Sequence, residues 1–248
     1  MKDYLLISNT KENKISDFYL DFVSSHIEKS TNKKILYREL SYRKAYEWEL
    51  PSNKYDTKLK KIMSDFQSNH GIDCNFIKTT EKRKKKLLIA DMDSTIIKEE
   101  SLDELAKQIG KEKEVSFITN EAMNGRVDFT KALLDRVAML KGNSTDILEN
   151  LKKNININDG ARELVKTMKV NGSVTVLVSG GFTFLTEYLK ELLDFKHTHA
   201  NTLQIIQKEF QKFEITGKIE GSILDKKARR YRILPRFLWY GFQTILLE

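Results

Sequence analysis

Residues 87–97 read LLIADMDSTII, and the reading of that stretch decides the fold. Leu87–Ala90 is an uninterrupted apolar run, which suits a strand of a parallel sheet covered on both faces. It runs straight into Asp91, and a second carboxylate, Asp93, follows two positions later. Side chains at i and i+2 of an extended strand point the same way, so the two acids can face one cavity. Like charges that close repel, so a positive partner or a shared proton is expected beside them. One acid could act as nucleophile and the other as general acid, with a hard cation such as Mg²⁺ between them. The same spacing also arises as a plain turn, or as the Asx-type cap of a following helix.

A second stretch, SVTVLVSGGF at 173–182, has the same character. Its apolar run, Val174–Val178, ends in Ser179-Gly180-Gly181, and a helical pattern with Phe184, Leu185 and Tyr188 follows. A hydroxyl beside open backbone amides at a helix N-terminus can cradle a phosphate, although an ordinary strand–helix turn uses glycine too. Two such strand ends in one parallel sheet are less easily put down to chance. About sixty residues of helical pattern lie between them. Ser101–Ile109 opens with capping-box spacing (Ser101, Glu104), and further helices are predicted at 112–123, 128–140 and 145–153, with Asp159 capping the next. A helical block inserted there sits over the carboxyl end of the strands, where α/β sheets place their sites.

The first 80 residues form a different pattern. Strands are predicted at Tyr4–Ser8, Lys34–Leu40, Ala45–Leu50 and Cys74–Ile77, and helices at Ile15–Lys29 and Asp56–His70. The order βαββαβ is that of a ferredoxin-like sandwich. His26 and His70 are isolated there and suit surface or capping roles. The charged segment Thr79–Lys86 reads as a linker, which gives domains at 1–80 and 81–248.

Composition is that of a globular protein, with 40% hydrophobic and 31% charged residues in 248. The net charge of +8 raises nucleic acid as a partner, but the lysines are scattered and only KRKKK at 82–86 forms a run. No RNA-binding signature accompanies it, so no nucleic-acid role is expected. No apolar run approaches membrane-spanning length, the N-terminus is too short in apolar residues for a signal peptide, and Cys74 is the single cysteine. These features predict a cytoplasmic protein without membrane contact.

DMDST, Glu100 in KEESLDELA, EAMNGRVDF, LLDRVAML and VSGGF occur in that order between about Leu87 and Asp225. In this the chain resembles the phosphoserine phosphatases of the haloacid dehalogenase superfamily, and residues 1–80 are similar in layout to an ACT-like domain. The fold class so implied is α/β. It is a haloacid-dehalogenase-like parallel sheet with a helical cap at about 98–157, behind a ferredoxin-like βαββαβ domain. The activity implied is Mg²⁺-dependent hydrolysis of O-phospho-L-serine through an aspartyl-phosphate, the last step of serine biosynthesis. By the resemblance Asp91 is the nucleophile and Asp93 the acid–base residue. Mg²⁺ binds the Asp91 carboxylate and the Asp93 backbone carbonyl. Ser179 and Gly180 hold phosphate oxygens, Glu100 and Arg136 take the ammonium and carboxylate, and Met123 and Phe129 close over the substrate. A small-molecule substrate is the expected partner, and a homodimer is left open.

Two pieces of the family pattern differ. A lysine expected after the segment GKIEGSILD aligns with Arg229, and a later GDGxND-like loop completing the metal site is absent. Residues 229–248 instead hold four of the ten arginines, one of two tryptophans and no lysine. So abrupt a change of composition reads as a frameshift near Lys226-Lys227, with a divergent docking tail as the alternative. Without the lost segment, which would supply one or two strands, the sheet edge beside the active site is expected to be exposed and the metal site short of a ligand. On that ground the chain as written is expected to be impaired, and a catalytically weakened remnant or ligand-binding protein is the alternative to an active enzyme. A phospho-acceptor module of receiver type also uses a strand-end aspartate, but the inserted helices and DxDST disfavour it.

Overall fold

The computed structural model describes residues 2–9, 14–51, 55, 57–79 and 84–224, together with the strand 244–247. It comprises two compact units, Met1–Arg83 and Lys84–Glu248.

The first unit runs β1 (Lys2–Ser8), α1 (Asp17–Thr31), β2 (Tyr37–Ser41), β3 (Ala45–Leu50), α2 (Thr57–His70) and β4 (Asp73–Thr79). Its strands are antiparallel in the order β2-β3-β1-β4, the ferredoxin-like arrangement. Alternation drives the packing: Leu5 and Ile7 of β1 and Trp48 and Leu50 of β3 are buried with Leu20, Val23 and Ile27 of α1 and Leu59, Met63 and Phe66 of α2. Trp48 Nε1 is satisfied by Ser24 Oγ at 3.1 Å. The helix begins at Asp17 rather than Ile15, because Ile15 is fully buried before it and donates its N–H to the Arg43 carbonyl. His26 bonds the Phe22 carbonyl one turn back, and the His70 ring lies 5.0 Å from that of Tyr19.

The second unit is built on a sheet ordered β8-β7-β6-β5-β9. Its strands are β5 (Leu87–Ala90), β6 (Val174–Phe182), β7 (His197–Glu209), β8 (Lys212–Glu220) and β9 (Thr244–Leu247). β5, β6, β7 and β9 are parallel, and β7 and β8 form an antiparallel hairpin. Both faces of the central pair are apolar. Leu88, Ala90 and Leu177 join the large core, while Leu87, Ile89, Val176 and Val178 form a separate cluster. That two-sided burial explains the unbroken apolar run. Each buried Leu, Ile or Val among them contributes about 1.5–3 kcal/mol. Two helices, α7 (Ala161–Val170) and α8 (Thr183–Leu193), add Val165, Leu185 and Leu189 to the large core.

The cap comprises α3 (Ser101–Gln108), α4 (Glu112–Met123), α5 (Phe129–Ala138) and α6 (Asp146–Asn154). Its entry and exit segments are stitched together: Ile97 bridges Ile157, Lys98 donates to the Asn156 carbonyl, and Asn158 returns a bond to Ile96. Midway, the loop after α5 is spliced to the hairpin. Gly142 donates to the Ile215 carbonyl at 2.9 Å, Ile215 to that of Asn143 at 3.0 Å, and Thr145 to that of Phe213 at 3.1 Å.

Three expectations are corrected. Ser101 is not a cap but the first residue of α3, preceded by Glu100, which makes no side-chain cap bond. Asp159 does not cap α7; Gly160, at φ 85°, holds that position, and Asp159 pairs with Lys98 at 3.6 Å. The edge beside β5 is not exposed, since β9 pairs with it in register Leu87↔Thr244 to Ala90↔Leu247. Residues 225–243, with Arg229 and most of the arginine- and aromatic-rich tail, lie outside the described residues.

Gly217 in β8 fixes how closely the hairpin meets the cap. Its φ is +76°, and a Cβ there would lie 2.9 Å from Lys141 Cβ and 3.2 Å from the Ala138 carbonyl oxygen. Gly217→Ala combines an unfavourable backbone with a clash and is expected to cost about 1–3 kcal/mol, read from urea unfolding.

Candidate active site

The site begins where β5 ends. After Asp91 the chain wraps around Met92, whose carbonyl accepts from the N–H groups of Thr95, Ile96 and Ile97 and whose side chain is fully buried. This tight turn carries Ser94 into the left-handed region at φ 52° and lets its hydroxyl donate to Glu100 Oε1 at 2.8 Å. Asp93 is directed inward. Its Oδ1 accepts the Ser101 N–H at 2.8 Å, and its Oδ2 accepts the Ser179 hydroxyl at 3.1 Å. The orphan donor at the start of α3 is therefore capped by an acid from the preceding turn, which is why Ser101 need not cap itself. Burial pushes the Asp93 carboxyl above its usual range, against the hydrogen bonds from Ser101 and Ser179 and the charge of Arg136. A raised carboxyl pKa is the direction that suits a general acid.

The end of β6 supplies the facing wall. Ser179, Gly180, Gly181 and Phe182 stay extended within the strand, and α8 starts only at Thr183. Ser179 is fully buried; between Asp93 Oδ2 and the Gly181 N–H (2.8 Å), it stands behind the pocket wall rather than on it. Gly181 leaves room for this contact. A Cβ there would lie 3.0 Å from Ser179 Oγ and 3.1 Å from both Asp93 Oδ2 and Met92 Cε.

Asn201, which the sequence reading passed over, fixes this turn from β7. It is 3% exposed, donates to the Gly180 carbonyl at 2.8 Å, and accepts the Leu224 N–H at 2.7 Å. Its signal in the sequence is an amide in the first half of the strand, HTHANTL.

The cap closes the cavity. Asp128 caps α5 by accepting the Lys131 N–H at 3.1 Å, and this sets Phe129 on the first turn and Arg136 two turns on. Arg136 is 8% exposed; it donates through Nε to the Ala132 carbonyl and through Nη1 to Thr119 Oγ1, each at 3.0 Å. The cavity, of about 250 Å³, is lined by Asp91, Asp93, Gly180 and Gly181 on the sheet side and by Glu100, Thr119, Met123, Phe129 and Arg136 on the cap side. Of the eight expected residues, only Ser179 is off its wall. Met123 lines it while remaining 69% exposed at the end of α4. Burial also pushes Glu100 up, against the Ser94 hydrogen bond and with the help of Asp93, Asp103 and Asp91.

The described lining thus holds three carboxylates and one guanidinium. Such a site favours cations, and an anionic group needs one to enter. Among the described residues no cluster of three or more acidic, imidazole or thiol groups could hold a metal. The Asp91 carboxylate and the Asp93 carbonyl are nevertheless hard oxygen donors. They fit Mg²⁺, which is commonly held by one or two carboxylates with water and substrate phosphate.

The haloacid dehalogenase-like hydrolase family model matches residues 88–243, and the chain belongs to that family. A probable phosphoserine phosphatase of Schizosaccharomyces pombe is 40% identical over 171 residues, covering 68% of this chain and 56% of the relative. A phosphoserine phosphatase of Archaeoglobus fulgidus is 41% identical over 153 residues, covering 61% and 43%. The chain thus spans about half the length of these two curated relatives. Among solved structures, a substrate-bound phosphoserine phosphatase complex aligns with a TM-score of 0.60 at 33% identity over 66% of this chain and 78% of that one. A hydrolase of the same family from Salmonella enterica serovar Typhi aligns over 99% of this chain and 82% of its own with a TM-score of 0.80. At 20% identity, it shows the fold alone.

Two measurements check this geometry. Asn201→Leu leaves the Gly180 carbonyl and the Leu224 N–H unpaired and is expected to cost about 2–4 kcal/mol in denaturant unfolding. Ser179→Ala removes a donor that favours the ionised form of Asp93. Carboxyl ¹³C NMR should show Asp93 titrating above the ordinary aspartate range in the native protein and higher again in the variant.

Proposed function

We propose that this protein is a Mg²⁺-dependent phosphomonoesterase that hydrolyses O-phospho-L-serine to L-serine and phosphate. The observation that carries the reading is one small cavity with Asp91 and Asp93 on its floor and Glu100 and Arg136 on its cap side. A phosphate monoester of a zwitterion needs both ends. The phosphoryl group lies by the strand ends, while Glu100 receives the ammonium and Arg136 the carboxylate. The names of the similar proteins support this choice of substrate.

Asp91 attacks phosphorus as the P–O bond to serine breaks, and protonated Asp93 gives its proton to the departing oxygen. Asp93, now ionised, takes a proton from water, whose oxygen attacks phosphorus. The bond to Asp91 breaks and both residues return to their starting states. Gly180 and Gly181 let the phosphoryl group approach the backbone, Phe129 and Met123 exclude water, and Ser179 steadies Asp93 or turns to a phosphate oxygen. When bound, Mg²⁺ supplies charge neutralisation between the Asp91 carboxylate and the phosphate. The resemblance adds a cation at Arg229, which lies outside the described residues. The product is L-serine, so the reaction suits the last step of serine biosynthesis, and the sequence features point to the cytoplasm.

The alternative of an impaired remnant drew on the tail alone. The assembled cavity and the similarity to phosphoserine phosphatases favour catalysis.

Phosphate release from O-phospho-L-serine with Mg²⁺ tests the reading. Asp91→Asn should lower turnover roughly a thousandfold or more, and chelation of the metal should abolish it. No release by the native chain, or release that survives Asp91→Asn, would sink it.

A further inference from the structure

Arg136 is placed unusually for a buried cation. Its described partners are a carbonyl and a hydroxyl, and no described carboxylate forms an ion pair with it. An acid is nonetheless one bond further on. Thr119 Oγ1 accepts from Arg136 and has two acceptors for its one proton, Asp103 Oδ1 at 2.8 Å and the Val115 carbonyl at 3.1 Å, of which the charged Asp103 is the nearer; Ser116 donates to Asp103 Oδ2 at 3.2 Å. The row runs Arg136, Thr119, Asp103, Ser116, from α5 through α4 to α3 and back to α4. Thr119 is 7% exposed and lines the same cavity as Arg136.

A direct Arg136–Asp103 pair would occupy the guanidinium edge and cancel the charge a ligand needs. A neutral hydroxyl between them avoids that. It leaves three of the five guanidinium N–H groups uncommitted, and the aligned bonds polarise one another. We infer that Thr119, backed by Asp103, is a positioning residue that aims Arg136 at the carboxylate of the substrate and so sets specificity for an amino-acid phosphate. The inference rests on the phosphoserine reading of the site. Thr119 touches Arg136 and Asp103, and it acts on the substrate through the guanidinium.

The test compares two ligands that differ only in the carboxylate, O-phospho-L-serine and O-phosphoethanolamine. KM and kcat/KM for each are measured with Mg²⁺ from initial rates of phosphate release by the full chain, Thr119→Val and Thr119→Ser. Thr119→Val should lower kcat/KM for phosphoserine roughly tenfold to a hundredfold and for phosphoethanolamine by less than about threefold, and Thr119→Ser should restore the difference. Asp103→Asn, which keeps the shape, should move phosphoserine in the same direction by less. Equal losses for both ligands, or no loss for either, overturn the role of Thr119 while the native preference for phosphoserine stands. A native protein that does not prefer phosphoserine overturns the substrate reading itself, and the inference with it.

Discussion

The hydrogen-bonded position of the Asp93 carboxylate is the constraint on which the site depends. One oxygen takes the first N–H of the cap, from Ser101, and the other takes the hydroxyl at the end of the neighbouring strand, from Ser179. The turn after β5, the start of the cap and the distant end of β6 are brought into one register by a single group. A buried carboxylate is costly, and it is tolerated because a helix terminus, a hydroxyl and the nearby guanidinium share its charge. Removal of any one would leave the acid less ionised, and the cap less firmly seated on the sheet.

The same economy recurs along the cavity. Ser94 holds Glu100, Thr119 holds Arg136, and Asn201 holds the carbonyl of Gly180. Glu100, Arg136 and the Gly180 carbonyl are thus each held, among the described residues, by a small neutral side chain rather than by an opposite charge. Neutral partners orient without cancelling, so the charge remains for a ligand. The pattern explains how a cavity with three acids and one arginine stays folded without direct ion pairs to Arg136.

Much of this was legible in the sequence for physical reasons. Leu87–Ala90 and Val174–Val178 are apolar without a break because both faces of the sheet are buried, and the acids and glycines stand out at their ends. The cap helices declared themselves through their periodicity, and Glu100, Met123, Phe129 and Arg136 line the cavity together. Local rules failed where a distant partner took over. Ser101 looked like a cap, yet Asp93 satisfies the helix start, and Asp159 lost its expected role to a glycine able to adopt φ 85°. Asn201 and Thr119 act through bonds to Gly180, Arg136 and Asp103, 16 or more positions away, which no periodicity reveals. The pairing of β9 with β5 was likewise invisible, because a short apolar run such as TILL does not name its neighbour.

The splice between the loop at 142–145 and β8 divides the hairpin into two territories. Residues 213–217 carry the three backbone bonds and the close approach at Gly217, and α5, with Phe129 and Arg136, ends against them. The tip, with Phe210 at 86% exposure, carries none of that load. The cap is therefore braced at its middle as well as at its entry and exit segments. A change of length at the tip would leave those three bonds in place. A one-residue shift in the lower half of β8 would be transmitted along α5 and register as a misaligned arginine in a cavity it never touches.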